Sequence, residues 1–294
     1  EDGWYDTEND VSRMKRNVYI LHDEQILWAD TVFYRRFPGY GLAENNVTLY
    51  DTLQDIYVKG NLAEYDDELG YAYVTDSALA IMPEKNDTLF LHSDTMWMFT
   101  GEDGTAELMK TYYQVKYYRK NLQGMCDSLV YHFPDSTIIM YNDPVMWSEE
   151  NQLTSDSVAI VIANNEVDTM VLYGACFIIS LDDTLNASFN QVKGLNMIGY
   201  FRDNEIYKIH VTGNSETLYF LREEDHSLIG IQKAISNRMM IYFEEGEIRG
   251  FTYIDKPDGA IHTVDELQGP DLKLRDFRWI EGRRPMKKED IFTW

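Results

Sequence analysis

The sequence predicts an all-β fold, an elongated stack of antiparallel strands, and three observations predict it. Short apolar runs alternate with Asn, Asp, Gly and Pro turns from about residue 17 to residue 254, with no convincing helix between them. A unit of small residue, aspartate, Ser/Thr and apolar residue recurs within those runs. Aromatic residues make up 14% of the chain, including 21 tyrosines, which favours strands. At 294 residues and 44% apolar content the chain can bury a sizeable core, as one large domain or two ordinary ones.

Taken in order, residues 1–16 read as a lead-in and residues 17–262 as the repeat domain. Asn17 to Tyr34 reads as a strand, a turn at Asp23-Glu24 and a second strand. A turn follows at Arg35–Gly39. Ile56–Tyr65 and Tyr71–Val74 face each other across Asp66–Gly70, an acidic, glycine-ended hairpin signal. Later turns fall at Pro83–Asp87, Pro134–Ser136, Ala163–Glu166, Arg202–Glu205 and Glu244–Glu247, and Pro257-Asp258-Gly259 closes the pattern. Residues 263–294 form a tail of different character. From Pro270 it carries seven Lys/Arg against five acids, with Phe277, Trp279, Ile280, Ile291, Phe292 and Trp294 free to pack. The plain expectation is that it caps one end of the stack and blocks an aggregation-prone edge.

Aligned on its aspartate, the repeat reads Leu27–Val32, Tyr73–Ala78, Leu91–Met96, Gly124–Leu129 and Leu153–Val158. Beyond the aspartate, apolar residues alternate: Val32 and Tyr34; Ala78, Ala80 and Met82; Met96 and Met98; Leu129, Tyr131 and Phe133; Val158, Ile160 and Ile162. Period-2 alternation with one apolar face is the mark of a half-buried strand. The residue three before the aspartate and the residue two after it are an odd number of steps apart. In a straight strand they would point to opposite faces, so both reach one interior only if the chain bends at the Asp-Ser/Thr step. Asp, Ser and Thr suit a corner because their side chains bond nearby backbone N–H groups. Each unit is therefore expected to be strand, corner, strand. Met96, Met98, Leu129, Tyr131, Val158, Ile160 and Ile162 are the candidate ligand-binding lining. They either leave an open apolar groove or close on each other as a dry core.

Composition narrows the function. Lys and Arg total 26 against 50 Asp and Glu, a net charge of −24, which disfavours gripping nucleic acid or an anionic bilayer by charge. No apolar run reaches the roughly 18 residues of a membrane span. The chain opens Glu1-Asp2-Gly3-Trp4, without a secretory leader, as a mature terminus or a piece of a longer protein would. Cys126 and Cys176 fit neither a disulfide framework nor a zinc site and read as buried thiols or a single bridge. Nucleophile elbow, zinc helix, phosphate loop and dinucleotide fingerprint are all absent, and the six histidines are scattered. Asp66-Asp67 and Asp182-Asp183 read as solvated turns rather than calcium ligands. No catalytic residue, metal or cofactor is expected. A distant carboxylate pair for glycoside hydrolysis stays open. The Asp-Ser/Thr-apolar tripeptide also resembles the acceptor motif for protein O-glycosylation in Bacteroidetes, at Asp30, Asp94, Asp127, Asp156 and Asp168.

Longer stretches carry a family resemblance. Lys59-Gly60-Asn61 entering a strand, followed by the small-Asp-Ser/Thr-apolar unit, resembles the repeat of OstA-like proteins. These are relatives of LptA and the periplasmic part of LptD, and the Bacteroidetes branch is the best match. Tyr113–Arg119 running into Cys126–Tyr131, Tyr141–Ser148, Asn190–Gly194, Tyr200–Ile206 and the ending Phe277–Phe292 resemble the C-terminal half of that branch, so the chain is expected to be its C-terminal portion. The resemblance implies a β-taco, or β-jellyroll, with an apolar groove along its length. It implies a non-enzymatic role in lipopolysaccharide transport and outer-membrane assembly, in the periplasm, free or associated with the outer membrane, with lipid A acyl chains in the groove. Other envelope transport proteins would then meet its end strands, as would further copies end to end. Phosphate capture would fall to local basic clusters, Lys110, Lys116, Arg119 and Lys120 or the tail. Two other roles remain: an envelope scaffold acting by edge-strand pairing, and a polysaccharide-active enzyme on a β-solenoid.

Overall fold

A computed structural model describes residues 2–294 apart from 23, 86, 165, 184–187, 224, 245 and 246. Among these residues the chain forms nineteen β-strands, and its helical turns are three short 3-10 segments in the tail. The all-β, antiparallel expectation holds throughout. The chain divides into two compact units, Glu1–Asp135 with Pro285–Trp294, and Ser136–Arg284.

The first unit is an antiparallel meander of β1 (Asp2–Asp6), β2 (Val11–His22), β3 (Gln25–Arg35), β4 (Tyr40–Asp51), β5 (Ile56–Asp66), β6 (Tyr71–Pro83), β7 (Thr88–Thr100), β8 (Ala106–Arg119) and β9 (Leu122–His132). Each strand pairs with the next. Residues read as a lead-in supply β1 and the start of β2. The strands from β2 onward are long, and each ladder breaks register near its middle, as at Trp28/Thr31, Thr75/Ala78 and His92/Thr95. Each break divides a strand into two arms. Arm A contains residues such as Val32 and Met96, and arm B residues such as Leu27 and Leu91.

The corners sit where the aspartates predict. Asp30, Asp76, Asp94 and Asp127 lie at register breaks. On alternate strands the bend is made by consecutive left-handed residues, Asn45-Asn46 at φ 63° and 52° and Asp76-Ser77 at φ 65° and 64°. Asn and Asp tolerate that region better than most residues. The stabilising bonds differ from the expected caps on backbone N–H groups. Asn46 Nδ2 donates to Asp30 Oδ2 at 2.9 Å and Asn61 Nδ2 to Asp76 Oδ2 at 3.1 Å, so neighbouring corners are tied side chain to side chain. The serine before the aspartate spans the bend by donating to a carbonyl two residues on, Ser93 to Thr95 at 3.1 Å and Ser155 to Ser157 at 2.9 Å.

One repeat runs the other way. Leu27, Leu91 and Gly124 precede their corners in arm B, whereas Tyr73 precedes its corner in arm A, because β6 is antiparallel to β5 and β7. Val74, 4% exposed, takes the inward place and Tyr73 turns outward. There it joins a ladder of Tyr71, Trp97 and Phe99, with Tyr73 and Trp97 ring centroids 4.5 Å apart. Glu64 accepts from the Tyr71 hydroxyl at 2.6 Å and the Tyr73 hydroxyl at 3.1 Å. The Glu64 hydrogen bond, and for Tyr73 chiefly burial, push both phenols up to about 12. A neutral phenol held in the fold stabilises it fully below the unfolded pKa of about 10, and that contribution fades as pH rises through the folded value. Urea unfolding is therefore expected to show stability falling between pH 10 and 12. Glu64→Gln is expected to flatten that slope, and an unchanged slope would exclude the carboxylate as its source.

The second unit contains β10 (Thr137–Tyr141), β11 (Val145–Ser148), β12 (Asn151–Thr154), β13 (Ser157–Ala163), β14 (Glu166–Asp183), β15 (Ser188–Arg202), β16 (Glu205–Arg222), β17 (Leu228–Glu244), β18 (Glu247–Ile254) and β19 (Asp258–His262). β12 and β13 are the two arms of one chain path. Both pair with the long β14, and Ser155-Asp156 faces the break between Tyr173 and Cys176. At the far side β17 is flanked by β18 on arm A and β19 on arm B.

In this unit the tail lies across a sheet face rather than along a free edge. Leu274 packs on Phe177, Ile179, Leu218, Phe220 and Ile231, with Phe277 and Trp279 beside it. Two fully buried glutamines hold its backbone as a strand partner would. Gln191 Nε2 donates to Leu272 O at 2.9 Å and its Oε1 accepts from Leu274 N at 2.8 Å. Gln152 Nε2 donates to Arg278 O at 2.6 Å and its Oε1 accepts from Ile280 N at 2.7 Å. Lys193 and Lys233 add bonds to the Arg275 and Asp271 carbonyls. The tail end belongs to the first unit, where Ile291 is buried, Phe292 meets His92 with ring centroids 4.7 Å apart, and Lys116 Nζ donates to Thr293 O.

Candidate functional site

The candidate lining residues fall on continuous inward-facing rows. Directly opposed residues of paired strands share a face, so a row can be followed from strand to strand. In the first unit one row runs Val32, Ala43, Ala63, Val74, Met96, Thr111, Leu129. The next row out contains Ala72, Met98, Met109 and Tyr131. Met96, Met98, Leu129 and Tyr131 are thus brought onto one face. In the second unit the row through Val158 runs Met140, Val158, Leu172, Met197, Val211, Met239, Tyr253. Ile160 lies in the neighbouring row with Ile138, Met170, Gly199, Ile209 and Ile241. Ile162 follows beyond a bulge, opposite Val167.

The two arms of the second unit face each other. Arm B carries the row Leu153, Ile178, Val192, Thr217, Ala234. The Thr217 hydroxyl lies 2.8 Å from the Tyr253 hydroxyl of arm A, which joins the two inner faces. Leu153 and Val158 therefore look into one interior, as the odd spacing requires. The tail covers the opposite face of arm B, where Ile179 and Leu218 stand. Gly194 sits at the crease, where a Cβ would come 2.4 Å from Val211 Cγ1.

Burial is graded among the candidate residues, although in the second unit Met170, Ile209 and Ile241 of the Ile160 row are buried as well. Met96, Leu129 and Val158, nearest the corners, are 5%, 7% and 2% exposed, while Met98, Tyr131, Ile160 and Ile162 are half-buried. Alanines at the crease, Ala29, Ala43, Ala63, Ala78 and Ala80, allow close approach there. At the β18–β19 side of the second unit a cavity of ≈ 380 Å³ opens between the arms, lined by Gln232, Ala234, Tyr253 and residues 257–261.

Other candidates resolve differently. Lys110, Lys116, Arg119 and Lys120 do not converge. Lys116 is buried under the tail, Arg119 pairs with Glu84 at 3.0 Å, and Lys110 lies over the Phe99 ring on arm A. The corner in β8 puts Lys110 and Lys116 on different arms, and Lys120 lies beyond the strand, which disperses what sequence proximity suggested. Asp182 is not solvated: its carboxylate takes two bonds from Arg222, at 2.9 and 2.6 Å, with only 6% of the side chain exposed. Cys126 and Cys176 are buried thiols at corners, not joined in a disulfide, and burial pushes the Cys176 thiol up to about 12. Among the described residues no cluster of His, Cys, Asp and Glu is arranged to hold a metal, and no helix is long and apolar enough to cross a membrane. Sequence reasoning missed Gln152 and Gln191 as tail anchors. The apolar face they stand on, with Ile179 and Leu218, is assembled from neighbouring strands, so no signal for it stands beside them in the sequence.

No protein-family model matches the chain, and no curated protein does. Among solved structures, the chain is similar to LptH of Pseudomonas aeruginosa, the LptA-homologous periplasmic component of the lipopolysaccharide transport device. The identity is 15% and the TM-score 0.32, over 36% of this chain and 76% of that one.

Proposed function

We propose that this chain is a periplasmic, OstA-like protein of lipopolysaccharide transport that holds acyl chains against its inward apolar rows. The observation that carries this reading is the graded lining. In the first unit side chains are tightly buried at the crease and half-buried further out, and in both units bent strands keep one apolar face turned inward. Each CH₂ transferred from water to such a face contributes about 0.8 kcal/mol, so a few acyl chains supply ample affinity without charge. The role asks for no catalytic group or cofactor. On this reading any phosphate of the lipid stays outside the apolar rows, where it keeps its hydration. On this reading residues 17–262 carry the lipid, and residues 263–294 brace the sheet from outside.

Photo-crosslinking to lipopolysaccharide tests it. A photoreactive residue at Ile160, between Ile138 and Met170, is expected to label lipid. One at Val161, which faces away between Thr137 and Thr169, is expected not to. Equal labelling at both sites, or none at either, rejects the cradle.

A scaffold role has its own supporting observation. β18 and β19 flank β17 with short ladders, and Ile261 on β19 is 64% exposed beside the cavity between the arms. On this reading an envelope partner or a second copy adds a strand there. Ile261→Lys is then expected to abolish concentration-dependent association in light scattering. Association that survives the change locates the contact elsewhere.

A further inference from the structure

The outward face of arm A in the second unit carries a cluster that the cradle does not use. Tyr200, Lys208 and Tyr242 are direct cross-strand partners on the same face as Val161, turned away from the interior. Two bulges add to it. Register shifts leave Tyr207 and Arg249 without opposed partners on β16 and β18. Lys208 Nζ stands 4.2 Å from the Tyr200 ring centroid and 5.7 Å from that of Tyr207, and the Arg202 guanidinium lies 4.9 Å over Tyr207. Beside them is a cavity of ≈ 430 Å³ lined by Tyr207, Tyr242, Phe243, Glu244, Arg249 and Gly250. That volume falls within the roughly 300–1,000 Å³ of small-ligand clefts.

Arg119, Arg222 and Arg238 stand against carboxylates, and at this cavity Glu244 neutralises Arg249. Arg202 and Lys208 face tyrosine rings instead, and among the described residues neither is in an ion pair with a carboxylate. Aligned over the rings, these cations keep N–H groups for an anionic acceptor. Tyrosine offers both an apolar face and a hydroxyl, the combination that suits the apolar face and hydroxyl rim of a sugar ring.

We propose that this face binds an anionic saccharide. A sugar ring stacks on Tyr207 and Tyr242, and its phosphate or carboxylate is bonded by Lys208 and Arg202. The site is independent of the acyl-chain lining, because it lies on the other face of the same strands.

Saturation-transfer NMR on the full chain tests it with glucose 1-phosphate, glucuronate and glucose as probes. Saturation is expected at the sugar ring protons of at least one anionic probe and not of glucose, and the preferred anion distinguishes phosphate from carboxylate as the recognised group. Lys208→Gln is expected to weaken that probe about tenfold, equivalent to about 1.4 kcal/mol. Tyr207→Ala is expected to abolish transfer to the ring protons. The rim variant Arg202→Gln weakens binding in the same direction and reports even if Lys208→Gln disturbs the fold. Absence of saturation for both anions overturns the proposal, as does saturation unchanged by Tyr207→Ala and Lys208→Gln. Full displacement by equimolar inorganic phosphate also overturns it, by removing any part for the sugar.

Discussion

Gln191→Ala is expected to destabilise the second unit by about 2–4 kcal/mol. The substitution strands the Leu272 carbonyl and the Leu274 N–H, which the side-chain amide now satisfies. Each buried backbone group left without a partner costs about 1–3 kcal/mol. Gln152→Ala is expected to act alike through Arg278 and Ile280. Urea midpoints measure the loss, and limited proteolysis should show early cutting between residues 263 and 284 in both variants. Gln191→Glu separates the two bonds. It keeps an oxygen for Leu274 N–H but sets a carboxylate against the Leu272 carbonyl, so it should also destabilise. Losses below about 0.5 kcal/mol, typical of unremarkable surface changes, would mean that the tail is held by Leu274, Phe277 and Trp279 alone.

Gly194→Ala is expected to cost about 1–3 kcal/mol by overpacking the crease. The added methyl would sit 2.4 Å from Val211 Cγ1, and Val211 is fully buried in the row between Met197 and Met239, with no room to retreat. The diagnostic is the double variant with Val211→Ala. If the two arms touch at this point, the pair should be more stable than the sum of the single losses, with a coupling of at least about 0.5 kcal/mol. Simple additivity would show that the contact is not what makes glycine necessary there.

These two sites differ in how much of them can be read along the chain. The crease is written locally. Asp30, Asp94, Asp127 and Asp156 mark corners because an odd step between inward residues cannot be met by a straight strand; register breaks fall at the first three and the gap between β12 and β13 at the fourth. The Tyr73 unit shows the limit of that reading. Its tripeptide matches, yet its strand runs the opposite way through the corner, and strand direction is a property of neighbours rather than of six residues. The basic cluster on β8 fails for a related reason. Lys110 and Lys116 lie on different arms, one over Phe99 and the other under the tail.

What the sequence determined by itself is the strand-corner-strand unit and its apolar face. Both rest on interactions between residues two to five apart, where side-chain alternation and the backbone preferences of Asp and Asn act directly. Only the tertiary structure decided which arm each residue joins and that the tail lies flat on a sheet. It also decided that Gln152 and Gln191 hold that tail, and that Lys208 stands among tyrosines rather than carboxylates. The tail anchors join residues 128 and 83 positions apart. Neither glutamine carries a local sign of a backbone that arrives from so far along the chain, because the N–H and C=O groups it satisfies belong to every residue alike.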